Sequence, residues 1–297
     1  MTLIERVGVI GTGKIGNPMA NNLLSAGYHV EVCDVREEAY KDLVQAGAIA
    51  RETPAGIAAG CEVIILSLVN PNIVEEVLFG KDGAAESDLS GKIIIDTSTS
   101  SPSATEKFAE RIGKKGGTFL DAPVTGGEGG AREGTLNIMV GGPKQAFEKC
   151  KPILDVLGEK ITLVGESGAG HVAKLANQMI MSSYFSIIAE AFSFVENKDV
   201  DLERVLEVIE DGGAQSSCLS NMANQYRQER REGKAVNDTH YTGLFKKDME
   251  LALEEGKEDD FYMPTTSTAH EVIKQVVSSE AKGSFPLKFI ELWRKFL

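Results

Sequence analysis

A chain of 297 residues has length for about two domains, and its 42% hydrophobic residues are enough to build real cores. The balance of 31 basic against 44 acidic residues, a net charge of −13, excludes general affinity for a nucleic-acid backbone, which is held by surplus Lys and Arg. No uninterrupted apolar run approaches the roughly 18 residues of a membrane span, the segment Met1–Glu5 has no basic-then-apolar leader pattern, and Cys33, Cys61, Cys150 and Cys218 have no metal-ligand spacing. The expectation is a soluble, cytoplasmic protein with reduced thiols, no metal, and no nucleic-acid or membrane partner.

The first element is a short apolar strand at Val7–Ile10. It runs directly into Gly11-Thr12-Gly13-Lys14-Ile15-Gly16, a G-x-G-x-x-G turn, and then into a helix that carries Ala20, Leu23 and Leu24 on one face and stops at Gly27. Such a turn has physical requirements. Gly11 permits a sharp reversal, Gly13 lets the backbone approach a pyrophosphate, and Gly16 lets helix and strand pack closely, while the free N–H groups of the helix start hold the phosphates. A glycine-rich turn alone is weak evidence. Here a second strand, Val30–Cys33, follows and ends in Asp34, 18 residues past Gly16, about where an acid meets the adenosine ribose hydroxyls. A carboxylate there accepts from two hydroxyls and repels a 2′-phosphate, so NAD is expected over NADP, with Arg36 as the one opposing charge.

Further strands are expected at 63–68, 92–96, 118–121, 136–140 and 161–164, with helices near 36–45, 72–79, 102–115 and 144–157. This alternation predicts a parallel sheet covered on both faces. Beyond Gly170 strand signals nearly vanish. A helix over 170–197 is apolar almost all round, so it must be buried against other helices or a second subunit. More helices are expected near 201–211, 218–231, 243–256, 264–279 and 285–296.

Four separated blocks then carry a resemblance. They are the glycine turn with Met19-Ala20 and Asn22-Leu23; Asp121-Ala122-Pro123-Val124-Thr125-Gly126-Gly127, continuing through Ala131 and Gly134-Thr135-Leu136 to Gly141-Gly142; Gly168-Ala169-Gly170-His171-Val172-Ala173-Lys174-Leu175-Ala176-Asn177-Gln178; and Lys247-Asp248-Met249-Glu250-Leu251-Ala252. In order and content they resemble the β-hydroxyacid dehydrogenase family, which includes 3-hydroxyisobutyrate dehydrogenases and tartronate semialdehyde reductases. The resemblance implies an α/β chain: a Rossmann-type doubly wound dinucleotide-binding domain over 1–166, then an all-α substrate and oligomerisation domain over 167–297, joined by the long helix. The apolar helix over 170–197 predicts association, as a homodimer or homotetramer.

Site residues follow block by block. Backbone N–H groups at Gly126 and Gly127 can cradle a carboxylate without a charged side chain, and the resemblance assigns this loop, with Thr125, to substrate; the family usually has serine where Thr125 stands. Within Asp96–Pro102 a helix N-cap is needed, which gives Ser100 or Ser101 an ordinary role, so Ser98, nearer the strand end, is the substrate candidate. Leu68-Val69-Asn70 occupies the family's cofactor-lining turn. Lys174, Asn177 and Gln178, at i, i+3 and i+4, project from one side of an apolar helix, where an unsatisfied ammonium is costly. The resemblance makes Lys174 the general acid/base and places an orienting amide at Gln178, with Asn177 beside it. Many members have asparagine at that amide position, and the tartronate semialdehyde reductases have glutamine. Lys247 is implied as a supporting contact over the cofactor. A free lysine titrates near 10.4, so a base near neutrality needs desolvation or neighbouring cations to lower it. His171 and His240 are left out of this chemistry.

The chain departs from the family at Gly283-Ser284-Phe285-Pro286, where many members have Gly-x-x-Asp, in the charged run Arg227–Glu232, and at Asp238–Tyr241. The leading expectation is an NAD-dependent enzyme that interconverts a small 3-hydroxy acid and its semialdehyde. The alternatives are a tartronate- or glyoxylate-type semialdehyde reductase using NAD(P)H, for which Gln178 is the hint, and a non-catalytic dinucleotide-binding protein, against which Lys174 counts.

Overall fold

The computed structural model describes residues 4–198, 200–232, 240–279 and 287–294. They form two compact units that divide inside one helix, the first ending at Lys174 and the second beginning at Leu175.

The first unit is a nine-stranded sheet flanked by helices. In chain order its elements are β1 (Arg6–Ile10), α1 (Gly16–Ser25), β2 (His29–Cys33), α2 (Lys41–Gln45), β3 (Ile49–Ala50), α3 (Pro54–Gly60), β4 (Val63–Leu66), α4 (Pro71–Phe79), β5 (Ile93–Asp96), α5 (Pro102–Gly113), β6 (Thr118–Asp121), β7 (Val124–Thr125), α6 (Gly127–Glu133), β8 (Leu136–Gly141), α7 (Lys144–Leu157) and β9 (Gly158–Gly165). The strand order β3-β2-β1-β4-β5-β6-β8-β7, with β9 also on β8, is parallel from β3 through β6. The sheet then turns: β8 runs antiparallel to both β6 and β7, and β9 lies parallel to β8. The expected parallel sheet therefore holds from β3 through β6, and the antiparallel pairing is confined to this edge. β7 is only two residues long and β9 alternates with exposed positions, so neither needs the two-sided apolar cover of a central strand.

Continuous apolar runs make the central strands, because each strand sends alternate residues into a different core. Val7, Val9, Val63, Ile65, Ile93 and Ile95 enter one cluster, with Leu23 and Leu154 from the helices. Ile10, Ile64, Leu66 and Ile94 enter the opposite one, with Ile57, Leu78 and Phe108. Burial of each such side chain is worth about 1.5–3 kcal/mol. Gly8 belongs to this packing, since a Cβ there would land on Ile57 of α3.

α8 (Ala169–Glu196) is 28 residues long and continuous. In the second unit it is followed by α9 (Leu202–Glu210), α10 (Ser217–Glu232), α11 (His240–Glu258), α12 (Pro264–Ser278) and α13 (Lys288–Arg294). One cluster joins Phe185, Ala189 and Phe192 of α8 to Leu206, Met222, Phe245, Ile273 and Phe289. Phe185 and Phe245 meet edge to face at 5.6 Å. The charged run at the end of α10 has a packing role: Arg227 reaches Glu203 at 2.6 Å and Glu210 at 2.7 Å, tying α10 to α9. Gly283–Pro286 and the Asp238-Thr239 pair lie outside the described residues.

Within this chain the apolar surface of α8 is not all buried, for Ile180, Ile187 and Phe194 are 55%, 57% and 63% exposed, so the other helices cover it only in part. By length and composition, with an 18-residue window of mean hydropathy 1.2, it is apolar enough to cross a membrane, although a third of that window is buried in the protein.

Candidate active site

The glycine turn has the geometry its sequence requires. Gly11 sits at φ +88°, where a side chain is strained, and a Cβ on it would strike the Ser67 carbonyl; a Cβ on Gly16 would strike the Gly11 carbonyl. Gly13 differs, since a Cβ there meets nothing within 4 Å. Its lack of a side chain serves no packing need, but keeps clear a space beside the start of α1. No side chain caps that helix and no acid occupies its first turn, so its N–H groups and positive dipole end suit a phosphate. Lys14 is exposed and Ile15 half-buried at the helix start.

Asp34 is fixed at the end of β2. Its Oδ2 accepts from the Thr12 amide at 2.8 Å and lies 3.4 Å from the Thr12 hydroxyl, while Oδ1 accepts from the Arg36 amide at 2.9 Å. Thr12 is buried and so is tied to this carboxylate. Lone pairs remain on both oxygens for the two ribose hydroxyls of a dinucleotide. The Arg36 guanidinium stays 3.8 Å away and largely exposed. These residues fit a nicotinamide dinucleotide.

Ser98 is buried, and its Oγ accepts from the Leu68 amide at 2.9 Å. The hydroxyl therefore braces the Leu68-Val69-Asn70 turn and keeps its own proton to donate. Asn70 caps α4, its Oδ1 accepting from the Ile73 amide at 3.0 Å, and Val69 is 61% exposed. Ser101, not Ser100, caps α5.

The glycine block after β6 is more ordered than a loop. Val124 and Thr125 pair with Ile138 and Asn137 of β8, Gly126 turns the chain at φ +125°, and α6 starts at Gly127. Lys174 is buried on α8, and its Nζ donates to the Val124 carbonyl at 2.9 Å. The amine is thus brought to the residue next to Thr125, Gly126 and Gly127.

In the second unit, the Gln178 side-chain Nε2 donates to Asp248 at 2.7 Å, and the Asn177 Nδ2 donates to the Gln178 side-chain Oε1 at 3.2 Å. Lys247 Nζ lies 3.1 Å from the other Asp248 oxygen. Asp248, in sequence only a motif letter, therefore organises both Gln178 and Lys247. Gln178 lies one helical turn beyond Lys174 on α8.

Three more groups were missed. Asp121, fully buried, accepts from the Gly168 amide at 2.9 Å and the His171 amide at 3.0 Å, so it caps the start of α8. His171, also fully buried, bonds Thr105 and Ser98 through its ring. Asp96, beneath Ser98, accepts from the Ser98 amide, and burial pushes its carboxyl above the usual carboxylate range, partly offset by His171. Both acids are visible as motif letters, but the partners of Asp121 lie 47 and 50 residues away in the chain. No cluster of metal-ligating side chains occurs among the described residues.

Residues 6–165 match the family described as the NAD binding domain of 6-phosphogluconate dehydrogenase. Residues 168–285 match the one described as NAD-binding of NADP-dependent 3-hydroxyisobutyrate dehydrogenase. A 2-hydroxy-3-oxopropionate reductase of Escherichia coli is 39% identical, over 90% of this chain and 89% of its own. A 3-hydroxyisobutyrate dehydrogenase of Pseudomonas aeruginosa is 36% identical, over 83% and 84%. In fold, the chain is similar to a Mycobacterium tuberculosis 3-hydroxyisobutyrate dehydrogenase solved with L-serine, with a TM-score of 0.88 at 24% identity over 99% of each chain. The chain belongs to the β-hydroxyacid dehydrogenase family. It is an oxidoreductase of that family, built to hold a nicotinamide dinucleotide.

Proposed function

We propose that this protein oxidises a small 3-hydroxy acid to its semialdehyde with NAD, and runs the reverse reduction, with Lys174 as general acid/base. The observation that carries the reading is the buried Lys174 amine held 2.9 Å from the Val124 carbonyl, beside the Thr125-Gly126-Gly127 turn. An amine that donates to a fixed carbonyl is held in a defined place. In oxidation the neutral amine takes the substrate hydroxyl proton; in reduction the ammonium returns it. A bound nicotinamide supplies the hydride acceptor or donor. Backbone N–H groups at Gly126 and Gly127, with the Thr125 and Ser98 hydroxyls, bind the substrate carboxylate, and Asn177 and Gln178 orient the substrate or the amine. Lys247 supports the cofactor side.

The dinucleotide site comprises Gly11, Thr12, Gly13, Lys14, Ile15, Gly16, Asp34 and the turn Leu68-Val69-Asn70. NAD is favoured over NADP because Asp34 is anchored as an acceptor by two backbone amides, where a 2′-phosphate would meet a second negative charge. The tartronate-type semialdehyde reductase is the second reading. Gln178 and the 39%-identical 2-hydroxy-3-oxopropionate reductase favour it. A panel of 3-hydroxyisobutyrate, glycerate, serine, 3-hydroxypropionate, 2-(hydroxymethyl)glutarate and tartronate semialdehyde, each with NAD(H) and NADP(H), tests both. Turnover of none of them, alongside tight dinucleotide binding, would favour a nucleotide carrier instead.

The same reading makes the protein a homo-oligomer. Ile180, Tyr184, Ile187 and Phe194 follow one face of α8 and are 43–63% exposed, an apolar stripe that a second copy would cover. A monomer in size-exclusion chromatography at micromolar concentration would contradict it. Four buried free thiols suit a reducing, cytoplasmic setting.

A further inference from the structure

The start of α8 is surrounded by buried polar groups that the chemistry above does not use. His171 precedes Lys174 by three residues, so the two side chains are neighbours on one face of the helix. The His171 ring is fully buried, with Nε2 3.1 Å from the Ser98 carbonyl and Nδ1 2.7 Å from the Thr105 hydroxyl. A carbonyl oxygen only accepts, so Nε2 carries a proton and donates it. Thr105 Oγ1 also lies 3.0 Å from the Ser101 carbonyl, which anchors this end of the network in the first turn of α5.

The backbone of the same residue is held from another side. Its amide and that of Gly168 donate to the two oxygens of Asp121, the last residue of β6 and three before Val124. The socket leaves no slack: a Cβ on Gly141 would come 2.5 Å from Asp121, and one on Gly170 would come 2.7 Å from it. Asp121 thus sets α8 against the strand end that leads to Val124, the acceptor of the Lys174 amine. The His171 ring sets it against the backbone of Ser98.

We propose that His171 is a positioning residue, which with Thr105 and Asp121 fixes the first turn of α8 so that the Lys174 amine stays registered on the Val124 carbonyl. This rests on Lys174 as the acid/base group. A shift of the helix start by about 1 Å carries the amine with it, and a displacement of that size can cost on the order of 100-fold in rate. A role in stability alone would lower the melting temperature and leave turnover per folded site unchanged.

Thr105→Val preserves shape and removes one half of the clamp; His171→Ala removes both side-chain contacts; His171→Gln keeps an amide donor for the Ser98 carbonyl. Kinetics are compared per active site with wild type and Lys174→Met. Thr105→Val and His171→Ala are expected to lower kcat about 10- to 100-fold with KM for the dinucleotide within about twofold, and to raise the isotope effect on a deuterated substrate as hydride transfer becomes slower. His171→Gln should recover part of the loss. In the cofactor-free protein, mass spectrometry should find Lys174 labelled faster by a neutral amine reagent in both variants, because the amine is no longer pinned. If His171→Ala fails to fold, Thr105→Val decides. Wild-type kcat and an unchanged labelling rate in folded Thr105→Val overturn the proposal, even with a lowered melting temperature. If Lys174→Met stays active the acid/base reading falls, and the labelling rates still judge the positioning claim.

Discussion

Gly13 and Gly16 belong to one motif, yet alanine should affect them in opposite ways. At Gly16 the added Cβ lands on the Gly11 carbonyl and lies 3.0 Å from Ser67 Cβ, so backbone must move. Overpacking of this kind costs about 1–3 kcal/mol, and contact with backbone puts Gly16→Ala at the upper end. At roughly 2–4 °C per kcal/mol for a unit of this size, the melting temperature should fall by about 6–12 °C. At Gly13 the Cβ meets nothing within 4 Å, and the residue is not among the glycines with positive φ. Gly13→Ala should therefore gain about 0.4–1 kcal/mol from a less flexible unfolded chain, a rise of about 1–4 °C. The same methyl would enter the space proposed for the pyrophosphate and weaken dinucleotide binding at least about tenfold, or ~1.4 kcal/mol. Thermal melts and NADH fluorescence titrations on both variants separate the effects. A stable Gly13→Ala that binds NADH as wild type does would refute the placement of the phosphates.

Two other consequences follow from single carboxylates. Replacing Asp34 with serine removes the fixed charge beside the ribose position and should shift the ratio of kcat/KM for NAD over NADP at least about tenfold toward NADP; an unchanged ratio would show that another residue sets the preference. Asp96 is fully buried, and its carboxyl is raised above the usual value of 3.8. The folded state then binds the proton more tightly than the unfolded state, so this group's contribution is complete below the ordinary aspartate value and is lost as pH rises toward its folded value. Asp96→Asn removes that loss, and its melting temperature relative to wild type should improve from about pH 4 toward neutrality. A variant that instead falls further behind as pH rises would reverse the sign.

The parts legible in the sequence are those governed by local rules. The strand–glycine–helix start, the acid at the end of β2 and the continuous apolar strands each state their requirement within a few residues. α3 begins with Thr53-Pro54 as a cap and first-turn proline, but its small apolar run lacks the length that marks a helix. α6 reads as a loop because Gly127, Gly129 and Gly130 weaken helix propensity, and it forms under tertiary constraint. The reversal at β8 was hidden because a buried strand reads the same in either direction. At the site, Lys174 stands out as a cation in an apolar helix, but the work of Asp121, His171 and Asp248 depends on contacts 50–73 residues away in the chain, and residue type alone does not disclose them.

The central claim is that the Lys174 amine moves the substrate proton, and Lys174→Met isolates it by replacing the amine with an apolar chain of similar reach. Loss of a general acid/base group costs about 10²–10⁴-fold. The variant should therefore turn over the best substrate of the panel at least about 100-fold more slowly, with NADH affinity and melting temperature close to wild type. Turnover near the wild-type rate in a folded, NADH-binding Lys174→Met protein would contradict the account.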